Sequence, residues 1–437
     1  MTESPQPALD AAPDAAADVV ADRAKRPLNI LVYGINFWPE LTGVGKYSGE
    51  MCQWLADHGH LIEVVTAPPY YPAWRVSAGY QSHAYRVEKW ATAGRVRITR
   101  CPLWVPRQVN TLRRLLHLTS FALSSLPALW AGLRRRPDIL LVIAPTLLVA
   151  PAALAMARWW QIPAWLHMQD FEVDAMFGLG LGGSQNWLRQ IALAIESRLL
   201  RSFDRASSIT LHMVSRLVAK GVRPFRCVLF PNWVDLSAIF PMCGPNAFRA
   251  QLGVGDGDIL VLYAGNMGEK QGLEILVDAA RILQGQPRIR FVLAGDGAAR
   301  QRLQRAAEGL DSVFWISLQP IERLNELLNS ADIHVLPQRA DAADMVMPSK
   351  LIGMFASGRA TVGTAARDTQ LGQVLGAAGQ RVEPGDAQAL AAALLGLASN
   401  TEQRHALGQR GRAFAERHFA VDSIMADFES RLAELAN

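Results

Sequence analysis

Two glycine-marked turns divide this chain into two α/β halves. The first is Gly34-Ile35-Asn36-Phe37-Trp38-Pro39-Glu40-Leu41-Thr42-Gly43-Val44-Gly45-Lys46, and the second is Gly265-Asn266-Met267-Gly268-Glu269-Lys270-Gln271-Gly272. Each follows a β-branched run (30–33 and 259–263) and precedes a helical pattern. Glycine lets backbone N–H groups approach a ligand closely, and a helix N-terminus favours an anion. Two such turns on two sheets predict a cleft between domains, with a phosphate-bearing ligand on at least one side.

The pattern around these turns supports that division. The spacing predicts strands at 29–33, 61–66, 95–100, 139–144, 164–167, 205–209 and 227–230. Helices are predicted at 47–58, 112–133 (kinked at Pro127), 147–159 and 186–203. Residues 235–244 lack periodicity and read as a linker. Alternation then restarts, with strands at 259–263, 289–293, 313–316, 333–336 and 360–362. The helices between and after them are predicted at 273–283, 298–307, 322–329, 350–357, 390–398, 402–418 and 422–436. Strand–helix alternation implies parallel sheets covered on both faces, with ligands beyond the carboxyl ends of the strands. The expected fold class is α/β, two doubly wound Rossmann-like domains facing across a cleft. The expected units are a disordered tail (1–27), a first domain (28–238), a second (239–420) and a last helix (421–437).

Charge is unevenly placed. Residues 86–136 hold eleven Lys/Arg against one acidic residue, Glu88, a local charge of +10 in a chain of net +5. Within it, residues 115–133 carry no Asp, Glu, Lys or Arg and are flanked by Arg113-Arg114 and Arg134-Arg135-Arg136. Two readings stand: contact with an anionic membrane surface, or an ordinary buried helix with a solvated basic end. Pro127, His117 and several serines argue against a membrane span. Cys52, Cys101, Cys227 and Cys243 lack metal-type spacing, which argues against a zinc site or disulfide framework and fits a reducing cytoplasm. The first 26 residues, rich in Ala, Pro and Asp, do not resemble a signal peptide.

Several segments could carry chemistry. Trp165-Leu166-His167-Met168-Gln169-Asp170-Phe171-Glu172-Val173-Asp174 puts one His and three carboxylates at a strand's carboxyl end, where an acceptor hydroxyl could be oriented or deprotonated. The competing reading is a core-satisfied His167 and a helix-capping Asp170. Pro348-Ser349-Lys350 opens a short helix that Gly358 ends, with Ser349 as its expected N-cap. That helix offers N–H groups and a Lys to a diphosphate; the competing reading is a well-capped structural helix, which would explain Ser349 and Gly358 but not Lys350. Lys270 could reach the same anion. Gly295-Asp296-Gly297 ends another strand of the second domain, and Asn232 in Pro231-Asn232-Trp233-Val234-Asp235 is expected to cap a turn at the hinge.

The ordered set Gly43-Val44-Gly45, Pro231-Asn232-Trp233-Val234-Asp235, Gly265-Asn266, Gly295-Asp296-Gly297 and Ala356-Ser357-Gly358 resembles the retaining glycosyltransferases of family four, with the GT-B fold. More narrowly, Tyr33-Gly34-Ile35-Asn36, Thr66-Ala67-Pro68-Pro69-Tyr70-Tyr71-Pro72, Gln169 to Asp174 and Gly265 to Gly272 resemble the WcaI-type branch, associated with colanic acid and related exopolysaccharides and with fucosyl transfer. The resemblance implies a nucleotide-sugar donor, GDP- or UDP-linked, on the second domain and an acceptor on the first. It also implies retention of configuration without a cofactor or required metal, and a last helix that crosses back to the first domain. On this reading Gly43, Gly45, Gly265, Asn266, Lys270, Gln271, Gly295, Asp296, Asp344, Ser349 and Lys350 hold the donor. His167, Asp170, Glu172 and Asp174 face the acceptor. Catalysis falls to His167, Asp170, Lys270 and Lys350.

Two departures stand out. Asn266 and Gln271 occupy positions where the family often has Arg and Lys. Met345 and Gly353 occupy those of two family glutamates, which leaves Asp341 or Asp344 to replace the one near the transferred sugar. With the basic segment, the leading expectation is a cytoplasmic enzyme, peripheral at the inner membrane face, acting on a lipid-diphosphate-linked oligosaccharide and no nucleic acid. The alternatives are a non-catalytic subunit of a polysaccharide assembly complex and a sugar-nucleotide epimerase. Neither glycine loop gives the dinucleotide fingerprint of a dehydrogenase.

Overall fold

The computed structural model describes residues 26–40, 43–90, 94–108, 110–144, 147–171, 186–268, 271–339 and 348–437. Fourteen strands form two sheets among these residues. The first contains β1 (Asn29–Tyr33), β2 (Leu61–Thr66), β3 (Arg86–Trp90), β4 (Val96–Arg100), β5 (Ile139–Ala144), β6 (Ala164–Met168), β7 (Arg205–Ser208) and β8 (Cys227–Leu229). The second contains β9 (Ile259–Ala264), β10 (Ile289–Ala294), β11 (Val313–Ile316), β12 (Ile333–Leu336), β13 (Ala360–Thr364) and β14 (Gln380–Val382).

The first sheet runs β3-β4-β2-β1-β5-β6-β7-β8 and the second β11-β10-β9-β12-β13-β14. Every pairing is parallel except β3 with β4. The strands were legible because parallel strands buried on both faces read as continuous apolar runs. The antiparallel edge strand β3 was not expected, since its alternation of Arg86, Glu88 and Lys89 with Val87 and Trp90 resembles a polar loop. The short β14 and the helices Leu211–Ala219, Ala247–Gln251 and Gln370–Ala378 were not expected either.

Successive side chains of a strand point to opposite faces, so each sheet builds two cores. Leu31, Tyr33, Leu140, Val142 and Leu166 pack under the helices of the β4–β8 crossovers. The alternate residues Ile30, Val32, Leu141, Ile143 and Trp165 pack under Gly43–Asp57 and under the last helix, Val421–Ala436, which contributes Met425, Phe428 and Leu432. Phe428 stacks on Phe230 at 3.9 Å and meets Trp165 edge-on at 5.2 Å. His60 fixes the same helix. Its Nδ1 accepts the Leu28 N–H at 3.0 Å, so Nε2 carries the proton and donates to Glu429 at 2.9 Å.

The apolar stretch 115–133 crosses from β4 to β5 as two helices, Thr111–Ser124 and Leu126–Leu133. The break falls at Ser125, and Pro127 sits in the first turn of the second helix, where a missing N–H costs nothing. Phe121, Leu129 and Leu133 are fully buried, whereas Leu112, Leu115, Leu116, Leu123 and Trp130 are exposed. The pair is thus a core element of the first domain with an uncovered apolar outer face.

Where the chain leaves the first domain and where it returns, the two segments pair. Val234 and Ala420 form a parallel bridge, with Val234 N–H donating to the Phe419 carbonyl at 2.8 Å and Val421 N–H to the Val234 carbonyl at 3.2 Å. Asp235, rather than Asn232, caps the turn that follows, accepting from Ser237 and Ala238 N–H groups at 2.8 and 3.2 Å.

Candidate active site

The carboxyl ends of β9 and β10 meet through glycine alone. A Cβ on Gly295 would overlap the Gly265 carbonyl oxygen, and one on Gly297 would overlap that of Met267. Gly265 (φ +141°) leaves its own side-chain space to Lys350, whose Cε would collide with a Cβ there. Lys350 is the second residue of the Ser349–Ala356 helix. From there it reaches across the top of the sheet to donate to the Tyr263 hydroxyl and, at 3.3 Å, to the Asn266 carbonyl. The Tyr263 hydroxyl in turn donates to the Asn266 carbonyl at 2.6 Å. The ammonium also lies over the Tyr263 ring, 4.5 Å from its centroid. No carboxylate pairs with it among these contacts, and burial pulls its pKa down to about 8. A half-buried cation held by neutral groups is poised for an anionic ligand.

Ser349 is the first residue of that helix rather than its N-cap; Pro348 takes the cap position and has no side chain able to cap. The Ser349 hydroxyl instead hydrogen-bonds Tyr47 of the first domain. Tyr47 lies on the helix that opens with Gly43, and its ring meets Trp233 edge-on at 5.2 Å. Trp233 donates to Glu50 at 2.9 Å. The two domains therefore touch at the N-terminus that carries Lys350. Tyr47 and Tyr263, absent from the sequence-derived set, complete this cluster; neither an aromatic in a helix, as Tyr47, nor one near a strand end, as Tyr263, gives a motif signal.

The remaining expected residues divide. Gly43 (φ +60°) is exposed, with open space where a Cβ would stand. Gly45 is buried, and its missing Cβ makes room for Glu40, whose Oε2 would lie 2.6 Å away, so it admits an internal carboxylate rather than a ligand. The Asn266 and Gln271 amides turn into their own loop around Gly268, whose Cβ would lie 3.2 and 2.7 Å from them. Asp296 pairs with Arg300 and accepts the Leu318 N–H at 3.3 Å. The Leu318 N–H and Arg300 hold its carboxyl below the usual range.

His167 belongs to the core. Its Nδ1 lies 2.9 Å from the Ser207 hydroxyl, which also accepts from Trp165 Nε1 at 2.8 Å, and its ring packs on Phe230. Burial holds its pKa near 3, so it stays neutral and serves no proton transfer near neutral pH. Asp170 stands half-buried just past the end of β6, at the cleft edge of the sheet. Glu172, Asp174, Lys270, Asp341, Asp344 and Met345 lie outside the described residues. Gly353 is within the Ser349–Ala356 helix, near Leu328. Beyond Gly272, a cavity of about 490 Å³ is lined by Glu274, Ile275, Gln338, Arg339 and Thr364. Arg339 gives it a cation that the motifs did not single out.

Comparison with known proteins places this geometry. Residues 42–233 match the glycosyl transferase 4-like domain, and residues 258–400 match the glycosyl transferases group 1 family. The colanic acid biosynthesis glycosyl transferase WcaI of Escherichia coli K12 is 40% identical over 414 residues, covering 92% of this chain and 98% of the relative. The chain belongs to the WcaI-like glycosyltransferases. Its fold is GT-B. Sucrose-phosphate synthase from Thermosynechococcus elongatus superposes with a TM-score of 0.73 at 18% identity, covering 93% of this chain and 99% of that one. Anabaena HepE in complex with UDP-glucose superposes at 0.65 and 15% identity, covering 93% and 100%. In this glycosyltransferase the two family matches fall on the two sheets, the first beginning after β1, and Ser349, next to Lys350, meets Tyr47 between them.

Proposed function

We propose that this glycosyltransferase moves a sugar from a GDP- or UDP-linked donor to a lipid-diphosphate-linked oligosaccharide, with retention of configuration. The pathway would be assembly of an exopolysaccharide of the colanic acid type, and fucose is the narrower candidate for the transferred sugar. The observation that carries the reading is Lys350, half-buried at a helix N-terminus between the domains and held by the Tyr263 hydroxyl and the Asn266 carbonyl, with no carboxylate partner among the described residues. Charge grows on the diphosphate as the glycosidic bond breaks, and a preorganised cation stabilises it there. Lys350 supplies that charge without a required metal, with Lys270 as a second cation. Ser349 and the adjoining N–H groups bind the diphosphate, exchanging the Tyr47 contact for it. Gly43 gives the first domain's loop room to approach. Asp170 orients the acceptor hydroxyl. The E. coli relative's role in colanic acid biosynthesis and the UDP-glucose bound to HepE support this assignment.

The acceptor's lipid would lie against the first domain. Exposed Leu112, Leu115 and Leu116 share a helix with Arg113 and Arg114, a surface suited to anionic headgroups and the acyl boundary. The enzyme would then work peripherally on the cytoplasmic face of the membrane.

Thermal unfolding with GDP, UDP, ADP, dTDP and their sugar conjugates tests the donor. A ligand at about 100 times its Kd stabilises the fold by about 2.7 kcal/mol. A selective shift with GDP and GDP-fucose supports fucosyl transfer, and a UDP-selective shift removes it. No shift with any nucleotide would favour the non-catalytic subunit.

A further inference from the structure

On the acceptor side, the loop after β2 is pinned from beneath by Glu40. Its Oε1 accepts the N–H groups of Tyr70 and Tyr71 at 3.0 Å each, and Oε2 accepts from Asn36 at 2.9 Å. The carboxylate is buried in the space Gly45 vacates. Above this anchor, Trp74 adopts φ +50°, a left-handed backbone that a bulky residue rarely takes. Glycine or asparagine would make the same turn without strain. The indole packs on Tyr70 at 5.6 Å and on His117 at 5.2 Å, remains half-buried, and has exposed Tyr71 close by in sequence.

His117 adds a second observation. Its Nδ1 lies 2.7 Å from the Trp104 carbonyl and therefore carries the proton, and burial keeps the ring neutral. Its Nε2 is then an acceptor, yet this buried nitrogen has no partner among the described residues. A buried acceptor is ordinarily satisfied, and an orphan beside a strained aromatic calls for an explanation.

We propose that Trp74 is the floor of an acceptor-saccharide subsite, held in place by Glu40 through the Tyr70 and Tyr71 amides, with His117 beneath it. The C–H face of a pyranose matches the negative face of an indole. The Nε2 lone pair, buried beneath the indole, accepts from a water that bridges it to a sugar hydroxyl. The position follows from the fold, because β1 and β2 both end here, at the edge facing the second domain. The proposal rests on the glycosyltransferase reading and adds to it which residues meet the acceptor's sugar. Trp74 is a binding residue on this account, and Glu40 is a positioning residue.

The test is saturation-transfer NMR on the full chain with methyl glycosides of glucose, galactose, fucose and glucuronic acid. Nucleotide-induced thermal shifts are read on the same samples. At least one glycoside should receive saturation from the wild type. Trp74→Asn, which tolerates the left-handed backbone, should weaken that binding by about three- to tenfold while leaving the nucleotide shift unchanged. Trp74→Phe should retain most of it, and Glu40→Ala should weaken it without altering the nucleotide shift. Should Trp74→Asn not fold, the graded series Trp74→Phe and Trp74→His decides instead. Undiminished binding in the substituted proteins, or no glycoside bound by the wild type, overturns the proposal. A wild type that binds glycosides and no nucleotide would sink the donor assignment and leave this one standing.

Discussion

Lys350 makes nucleotide binding depend on pH in a calculable way. Burial holds its ammonium at about 8, below the ordinary 10.5, because the charged form loses water. A diphosphate beside it restores the charged form, so binding takes up a proton wherever the free protein has released one. With a pKa of about 8, some nine-tenths of the free protein is protonated at pH 7 and about one-tenth at pH 9. The Kd for UDP or GDP should therefore weaken by about tenfold across that range, about 1.4 kcal/mol. The ligand's terminal phosphate is already ionised there, since its pKa lies near 6. Calorimetry at pH 8 in two buffers of different ionisation enthalpy should show uptake of about half a proton. Lys350→Met should flatten the profile. A flat wild-type profile, or an unchanged slope in Lys350→Met, refutes the argument. The same shift acts on stability. At this position the unfolded chain binds more protons than the folded one between about pH 8 and 10.5, so Lys350's own contribution to stability rises with pH through that window and is level below it.

Lys350→Ala should lower turnover by about one to three powers of ten once a donor and acceptor are in hand, and near-normal turnover would remove it from the mechanism. Gly295→Ala forces a Cβ onto the Gly265 carbonyl at φ +142°, and should cost about 3 kcal/mol by denaturant unfolding. Phe428→Ala empties a stacked core position between Phe230 and Trp165, and should destabilise the chain by about 3–5 kcal/mol in the same assay. Co-sedimentation should show binding to anionic vesicles that weakens with added salt and with Arg113→Glu and Arg114→Glu. Equal binding to neutral vesicles would count against the basic face.

How far the sequence carried depends on the range of each interaction. The two sheets were legible because β-branched runs and glycine turns are local signals. The glycines were legible as a set, although their use was not: Gly45 serves Glu40, and Gly265 serves Lys350, a residue far along the chain. His167 could be read as site or core because a parallel strand is apolar on both faces, so its pattern does not say which face a residue takes. Ser349 looked like an N-cap by residue type; the cap fell one position earlier, and its hydroxyl went to Tyr47 across the domain boundary. Glu40 carries no role in the sequence reading, where it is one residue of the turn Phe37-Trp38-Pro39-Glu40-Leu41, and only the fold shows that it holds the next loop.

The bridge between Val234 and Ala420 makes the second domain an insertion into the first, entered and left through one doorway. The ribosome makes Trp165 and Phe230 early, and makes Phe428, which covers them, only after the whole inserted domain has been synthesised. A stalled chain ending at residue 420 would leave that core face open to solvent. Closure of the first domain is thus a record, written in its own packing, that the second has already been made.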